Sequence, residues 1–316
     1  MINFKFNLPL FLLILFSFLF SLGIYYSPMS YLTFKDLHSE FLDPLKENKD
    51  ATYIIGSSRI RDLEASIFNE RKNNVVNTGI NGASFMTNFF ITLYVLENSS
   101  PKNILFEITP YGGIHFFPVA YYHFELFDAF DATNFSYLDY VSFIYNYMKN
   151  TENITKQGYF RYSNHFSDYI RTFDFLRFLK STEKKTMIKQ FRGSIGNGFL
   201  ASEKNSDLVI SDENFKSIKR TDFGIENTSQ ERPIEYYFIQ YLNDIAAKKG
   251  VDIKYVIPLT YSYYKNSTNQ LYNQGIKGVH TYDKIFLDSI YKKENFYDPR
   301  HLNRRGLDLF YNEVFN

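Results

Sequence analysis

ATYIIGSSRI, residues Ala51 to Ile60, is an apolar run that stops at a glycine and passes into two serines and an arginine. A short apolar run bounded by glycine reads as a buried strand of a parallel sheet. The sequence on either side repeats the theme. Arg61 to Arg71 is mixed and reads as helix. Asn74 to Asn77 is a second strand, followed by the glycine-bearing turn Thr78-Gly79-Ile80-Asn81-Gly82. Phe85 to Glu97 is helical, with Phe85, Phe89 and Leu93 on one stripe. Ser99-Ser100-Pro101 ends it. Asn103 to Thr109 is a third strand, closed by Pro110 and Gly112-Gly113. Arg232 to Lys249 is a helix with Ile234, Phe238, Leu242 and Ile245 on one face, Pro233 in its first turn and Gly250 just past its end. Asp252 to Pro258 is another strand, and Leu302 to Phe315 closes the chain as a helix. Strands alternating with helices predict an α/β fold on a parallel sheet.

Residues 114–230 fit this alternation poorly. The segment is rich in aromatics, helical over about 121 to 149 by pattern, then polar, with a tight turn at Gly196-Asn197-Gly198. It reads as an insertion or lid. No internal repeat is present.

Composition narrows the function. The chain has 316 residues, room for one large domain or two ordinary ones, and 45% hydrophobic residues, enough for a sizeable core. A net charge of +1 leaves no electrostatic footprint for nucleic acid. With Cys 0, neither disulfides nor cysteine-ligated metals can form. The six histidines form no HExxH-type cluster, so no metal and no cofactor is expected. Tyr 27 and Phe 34 are first of all core material, although Tyr121, Tyr122 and Phe124 could stack on sugar rings.

The N-terminus carries the clearest physical signal. No charge occurs between Lys5 and Lys35, and Leu8 to Tyr26 reads LPLFLLILFSFLFSLGIYY. At about 1.5 Å per residue such a run can cross a bilayer core of roughly 30 Å. Tyr25 and Tyr26 would lie at the far interface. The expected organisation is a membrane anchor over residues 1–30, a connector over 31–50, and one domain over 51–316. Lys5 places the N-terminus in the cytoplasm and the domain on the extracytoplasmic side. The rival reading is a cleaved signal peptide ending near Ser21-Leu22-Gly23, for which the apolar run is long.

Sites in parallel α/β sheets form at the carboxyl ends of strands. Four features fall there: Gly56-Ser57-Ser58-Arg59, Gly79 to Gly82, Thr109 to Gly113, and Asp298 with His301. Taken singly, each has a plain structural reading as a helix cap, a bare turn, or an N-cap beside a surface histidine. Together they supply a nucleophile, a base and its orienter. A serine hydroxyl attacks only once a base takes its proton. His301 could be that base, with Asp298 fixing its tautomer. A helix N-terminus after Gly56 would aim backbone N–H groups at developing negative charge, and Gly82 could bring its N–H close. Gly56-Ser57-Ser58-Arg59-Ile60 lacks the second glycine of G-x-S-x-G, which disfavours an ordinary α/β-hydrolase.

The order GSS, NxGxxG, D-x-x-H-L-N resembles the SGNH (GDSL-type) hydrolase superfamily over roughly residues 51–113 and 235–316. The resemblance implies a flavodoxin-like three-layer α/β/α fold with a parallel sheet. It makes Ser58 the nucleophile, with Ser57 where the family has Asp. Asp298 and His301 complete the triad, and Gly82 and Ser58 donate to the oxyanion. The third block departs from the family pattern. Where the family carries an oxyanion-binding Asn, this chain has Glu107-Ile108-Thr109-Pro110-Tyr111, so Tyr111, or Thr109, would take that place. Arg59 is a candidate contact for an acyl or phosphate group, or a plain surface residue.

Anchor, outward domain and GSS together look like the subset with envelope-polymer O-acyltransferases, esterases and the D-alanyl transfer protein of teichoic acids. The implied function is an exported serine esterase or O-acyltransferase acting on a cell-envelope carbohydrate through an acyl-serine. A multi-span membrane acyltransferase is the implied partner. Two alternatives stand: a weak or inactive binder of a glycan or such a partner, and a lipid hydrolase facing the cell interior.

Overall fold

A computed structural model describes residues 15–17, 50–61, 74–79, 83, 85–108, 133–150, 208–217, 221–222, 235–257, 259, 263–264, 276–299 and 301–315. In chain order, β1 (Thr52–Ile55) leads into the short helix α1 (Ser58–Arg61), then β2 (Val75–Asn77), α2 (Phe85–Asn98) and β3 (Asn103–Glu107). Next come α3 (Tyr137–Asn150), α4 (Asp212–Ser217), β4 (Thr221–Asp222), α5 (Glu235–Lys249), β5 (Asp252–Val256) and β6 (Tyr263–Tyr264). The chain ends with α6 (Lys284–Ile290), a 3-10 turn at Lys293–Asn295, β7 (Phe296–Asp298), β8 (His301–Leu302) and α7 (Arg304–Phe315).

The expected α/β fold on a parallel sheet is what the structure has. Four strands lie in the order β2-β1-β3-β5, and every neighbouring pair is parallel. Every carboxyl end therefore meets one edge of the sheet. β4 and β6 form a separate parallel pair, and β7 and β8 an antiparallel one.

Strand alternation divides the core in two. Tyr53, Ile55, Ile104, Phe106, Ile253 and Tyr255 point to one face, where they meet α2 and α5. Ile54, Leu105 and Val256 point to the other, against Ile60, Phe296, Leu302 and the apolar sides of α6 and α7. Helices thus cover both faces, which is why these strands read as continuous apolar runs. α2 is buried from Phe85 to Leu96, because the sheet, α5 and Phe135 together enclose it. Its aromatic rings meet edge-on: Phe89 against Phe238, with centroids 5.2 Å apart at 83°, and Phe89 against Phe135, 5.0 Å apart. Replacing a ring so enclosed by Ala costs about 3–5 kcal/mol.

Several boundaries differ from the sequence reading. α1 starts at Ser58, not Arg61, and residues 62–71 lie outside the described residues. The helix expected over 121–149 does not include Thr133 to Ser136. Ser136 accepts from Asp139 N at 3.1 Å and donates to its carboxylate at 2.7 Å, which starts the helix at Tyr137. Leu302 is a strand residue, not the first of the last helix. Gly250 does end α5, at φ +68, with Gly250 N–H on Ala247 O and Val251 N–H on Ala246 O. These two bonds are a Schellman cap.

Of the apolar N-terminal run, only Leu15, Phe16 and Ser17 are described, and they are helical. Among the described residues no helix is long and apolar enough to cross a membrane. Tyr121, Tyr122, Phe124 and the Gly196-Asn197-Gly198 turn lie outside the described residues.

Candidate active site

The register sets the first half of the site. Ile55 pairs with Phe106, so the next residue of each strand, Gly56 and Glu107, also lie side by side. Glu107 is fully buried. A Cβ on Gly56 would stand 2.5 Å from its Oε2 and 2.7 Å from its Cβ. Only glycine leaves room for the carboxylate. That carboxylate accepts from Ser57 N at 2.6 Å, from Ser57 Oγ at 2.6 and 2.9 Å, and from Arg59 Nη2 at 2.8 Å. Ser57 Oγ in turn accepts from Arg59 Nε at 3.1 Å. Asn88 of α2 donates to the Glu107 carbonyl at 3.2 Å and fixes the end of the strand.

The turn after β2 braces the same corner. Thr78 donates twice to Ile54 O, from its N–H at 2.8 Å and its hydroxyl at 3.1 Å. Buried Asn77 donates to Ile60 O at 3.1 Å and accepts from Gly79 N at 2.9 Å. One asparagine side chain thus closes its own turn and holds α1.

The second half comes from the chain's last hairpin. Asp298 and His301 face each other across β7 and β8. Asp298 Oδ1 accepts from His301 N at 2.9 Å, closing the turn, and both carboxylate oxygens lie against His301 Nδ1, at 2.9 and 2.8 Å. A carboxylate can only accept, so Nδ1 carries a proton, and in the neutral imidazole Nε2 is the nitrogen left to accept. The Tyr297 ring stacks on the imidazole at 5.4 Å and 8°. Below the hairpin, Asn303 caps α7: its Oδ1 accepts from Gly306 N at 3.1 Å, and its Nδ2 donates to Leu208 O and Glu294 O. A Cβ on Gly306 would lie 2.2 Å from Asn295 O. The L-N-x-x-G that follows the histidine is therefore structural, seating the last helix against the hairpin.

The two halves meet at one hydrogen bond. Ser58 Oγ lies 3.0 Å from His301 Nε2. The geometry separates the two serines in the way the resemblance implies. Ser57 is buried and its hydroxyl is committed to Glu107 and Arg59. Ser58 is half-exposed and faces the imidazole. The side chains of His301 and Asp298 are 21% and 39% exposed, so the site opens to solvent. Ser58 is the first residue of α1, and first-turn N–H groups have no acceptor within the helix.

Hydrogen bonds thus bring together Ser58, His301 and Asp298, the three residues expected as nucleophile, base and orienter. Arg59, a candidate ligand contact, is ion-paired with Glu107. Gly82, Thr109 and Tyr111 lie outside the described residues. Sequence reasoning missed Glu107, Asn77 and Tyr297. For Glu107 the signal was a single charge closing the otherwise apolar strand NILFE. Among the described residues no group of three or more His, Asp or Glu is placed to hold a metal ion.

With Ser58, His301 and Asp298 joined in this order beside the carboxyl edge of a parallel sheet, the imidazole can take the hydroxyl proton while the carboxylate holds the ring. No known family model matches the chain, and no curated protein matches it.

Proposed function

We propose that the chain is an exported, membrane-anchored serine esterase or O-acyltransferase of the SGNH type, acting on an acyl group of a cell-envelope carbohydrate. The observation that carries the catalytic part is the unbroken run Ser58 Oγ, His301 Nε2, His301 Nδ1, Asp298. The strand order β2-β1-β3-β5 with helices on both faces supports a flavodoxin-like three-layer fold. The apolar Leu8 to Tyr26 supports the anchor, with the domain outside and residues 114–230 as an insertion.

In the proposed reaction His301 Nε2 takes the Ser58 proton as Oγ attacks the acyl carbonyl. The tetrahedral oxyanion is met by the Ser58 N–H, with Gly82 and Tyr111 as the further proposed donors. Collapse breaks the ester bond, and the leaving alkoxide takes the proton from His301. Water or a sugar hydroxyl then gives its proton to His301, attacks the acyl-serine and frees Ser58. Water makes the protein an esterase; a sugar hydroxyl makes it a transferase. A multi-span membrane acyltransferase is the proposed source of acyl groups.

The third block, with Thr109-Pro110-Tyr111 in place of an Asn, favours a second reading: a weak or inactive protein that binds a glycan or a membrane acyltransferase. Losing one oxyanion donor costs about 10²–10³ in rate. Rapid quenching of the full-length chain with an activated acetyl ester separates the two. Acetyl mass on the Ser58 peptide supports the enzyme. A folded chain that never acquires it supports the binder.

A further inference from the structure

We infer that Glu107 is a positioning residue for the nucleophile, resting on the reading of Ser58 above. Its carboxylate grips the residues on both sides of Ser58 at once. Ser57 is held by its N–H and its hydroxyl, and Arg59 by its guanidinium. Arg59 Nε also donates to Ser57 Oγ, which closes the ring of contacts around the elbow. Ser58 itself spends no side-chain hydrogen bond on this scaffold, and its hydroxyl is directed at His301.

Such a clamp is needed because the partners ride on separate scaffolds. Ser58 follows β1 of the main sheet, whereas His301 belongs to a two-stranded hairpin outside it. Ile60 packs in one apolar cluster with Phe296 and Leu302 and brings the two scaffolds together, but that packing does not set the direction of the Ser58 side chain. Catalytic pairs tolerate little error: a shift of about 1 Å can cost roughly 10²-fold in rate. One buried acceptor holding three donors fixes the elbow better than single bonds to solvent-exposed partners, since charge-assisted bonds are short and directional. Gly56, whose missing Cβ admits the carboxylate, belongs to the same device.

Glu107→Gln tests it. Gln keeps the shape, but one of its two ends becomes an NH₂ that faces a donor. Part of the clamp must then open. The inference expects a crystal structure of the full-length variant with Ser58 Oγ and His301 Nε2 beyond hydrogen-bond reach. It also expects the maximal rate of fluorophosphonate labelling at Ser58 to fall about 100-fold while the half-saturating probe concentration holds. A merely structural loss would not split those two constants. An unchanged Ser58–His301 distance overturns the inference. If the parent chain is not labelled, the enzyme reading fails, and the distance comparison still decides the positioning role. Should the single variant not fold, Arg59→Gln/Glu107→Gln leaves no lone buried charge, and the same lengthening is expected. A double variant with the parent distance overturns the inference too.

Discussion

Ser58 Oγ and His301 Nε2 stand 3.0 Å apart although 243 residues separate them along the chain. Each is delivered by its own support, Glu107 and Asn77 for the serine, Asn303 and Gly306 for the histidine hairpin. The account predicts that the two supports fail separately and that chemistry fails when either does.

Asp298→Asn should leave the hairpin standing, because Asn Oδ1 can still accept from His301 N–H. Its NH₂ would face Nδ1, drive the proton to Nε2 and remove the base. Turnover of an activated ester by this variant should fall about 10⁴-fold with little change in melting temperature. A variant with parent-like turnover would contradict the role of Asp298.

Gly56→Ala brings a methyl group to 2.5 Å from Glu107 Oε2 and 3.2 Å from Ile60 Cβ. Overpacking of this kind costs about 1–3 kcal/mol. Urea unfolding should show a lower midpoint at an unchanged slope. A midpoint equal to the parent's would mean that the carboxylate is not packed against this glycine.

Asn303→Ala removes the cap of α7 and the donor to Leu208 O and Glu294 O. The lost cap and the stranded carbonyls together should cost about 1–3 kcal/mol. Gly306→Ala, whose Cβ would meet backbone at 2.2 Å, should be at least as damaging. Chemical denaturation of both variants checks the ranking.

His280 is held below its ordinary value of 6.5, first by burial and then by the Lys254 ammonium, with Glu313 pulling the other way. Glu313 Oε1 lies 3.4 Å from its Nε2, without hydrogen-bond geometry. A lowered folded pKa means that the unfolded chain binds more protons. His280's contribution is therefore whole above the ordinary value and is lost as pH falls toward the lowered one. Unfolding free energy measured from about pH 8 to about pH 5 should drop less steeply in His280→Gln than in the parent. Parallel curves would rule the contribution out.

Much of this architecture was legible because its signals are local. ATYII and NILFE are apolar runs ended by a break, and the sheet uses them as fully buried strands. Gly250 announced the end of α5 because a left-handed residue is needed there. Strand ends that gather in a parallel sheet pointed to Gly56-Ser57-Ser58-Arg59 and to Asp298 with His301, and the family resemblance singled out Ser58. What was illegible depends on register. That Glu107 would face Gly56 follows from the pairing of Ile55 with Phe106, which no local pattern carries. The start of α7 was misplaced because Leu302 suits a helix face as well as a strand, and the cap is its neighbour Asn303. Ser136 similarly cut short a helix that its aromatic neighbours extended by pattern.

The most direct test of the central claim is labelling of the full-length chain with a fluorophosphonate, followed by mass mapping, with Ser57→Ala, Ser58→Ala and His301→Ala alongside. The account predicts label on the Ser58 hydroxyl in the parent and in Ser57→Ala, and none in Ser58→Ala or His301→Ala. Label on Ser57, or label on Ser58 that survives loss of His301, would contradict an activated Ser58.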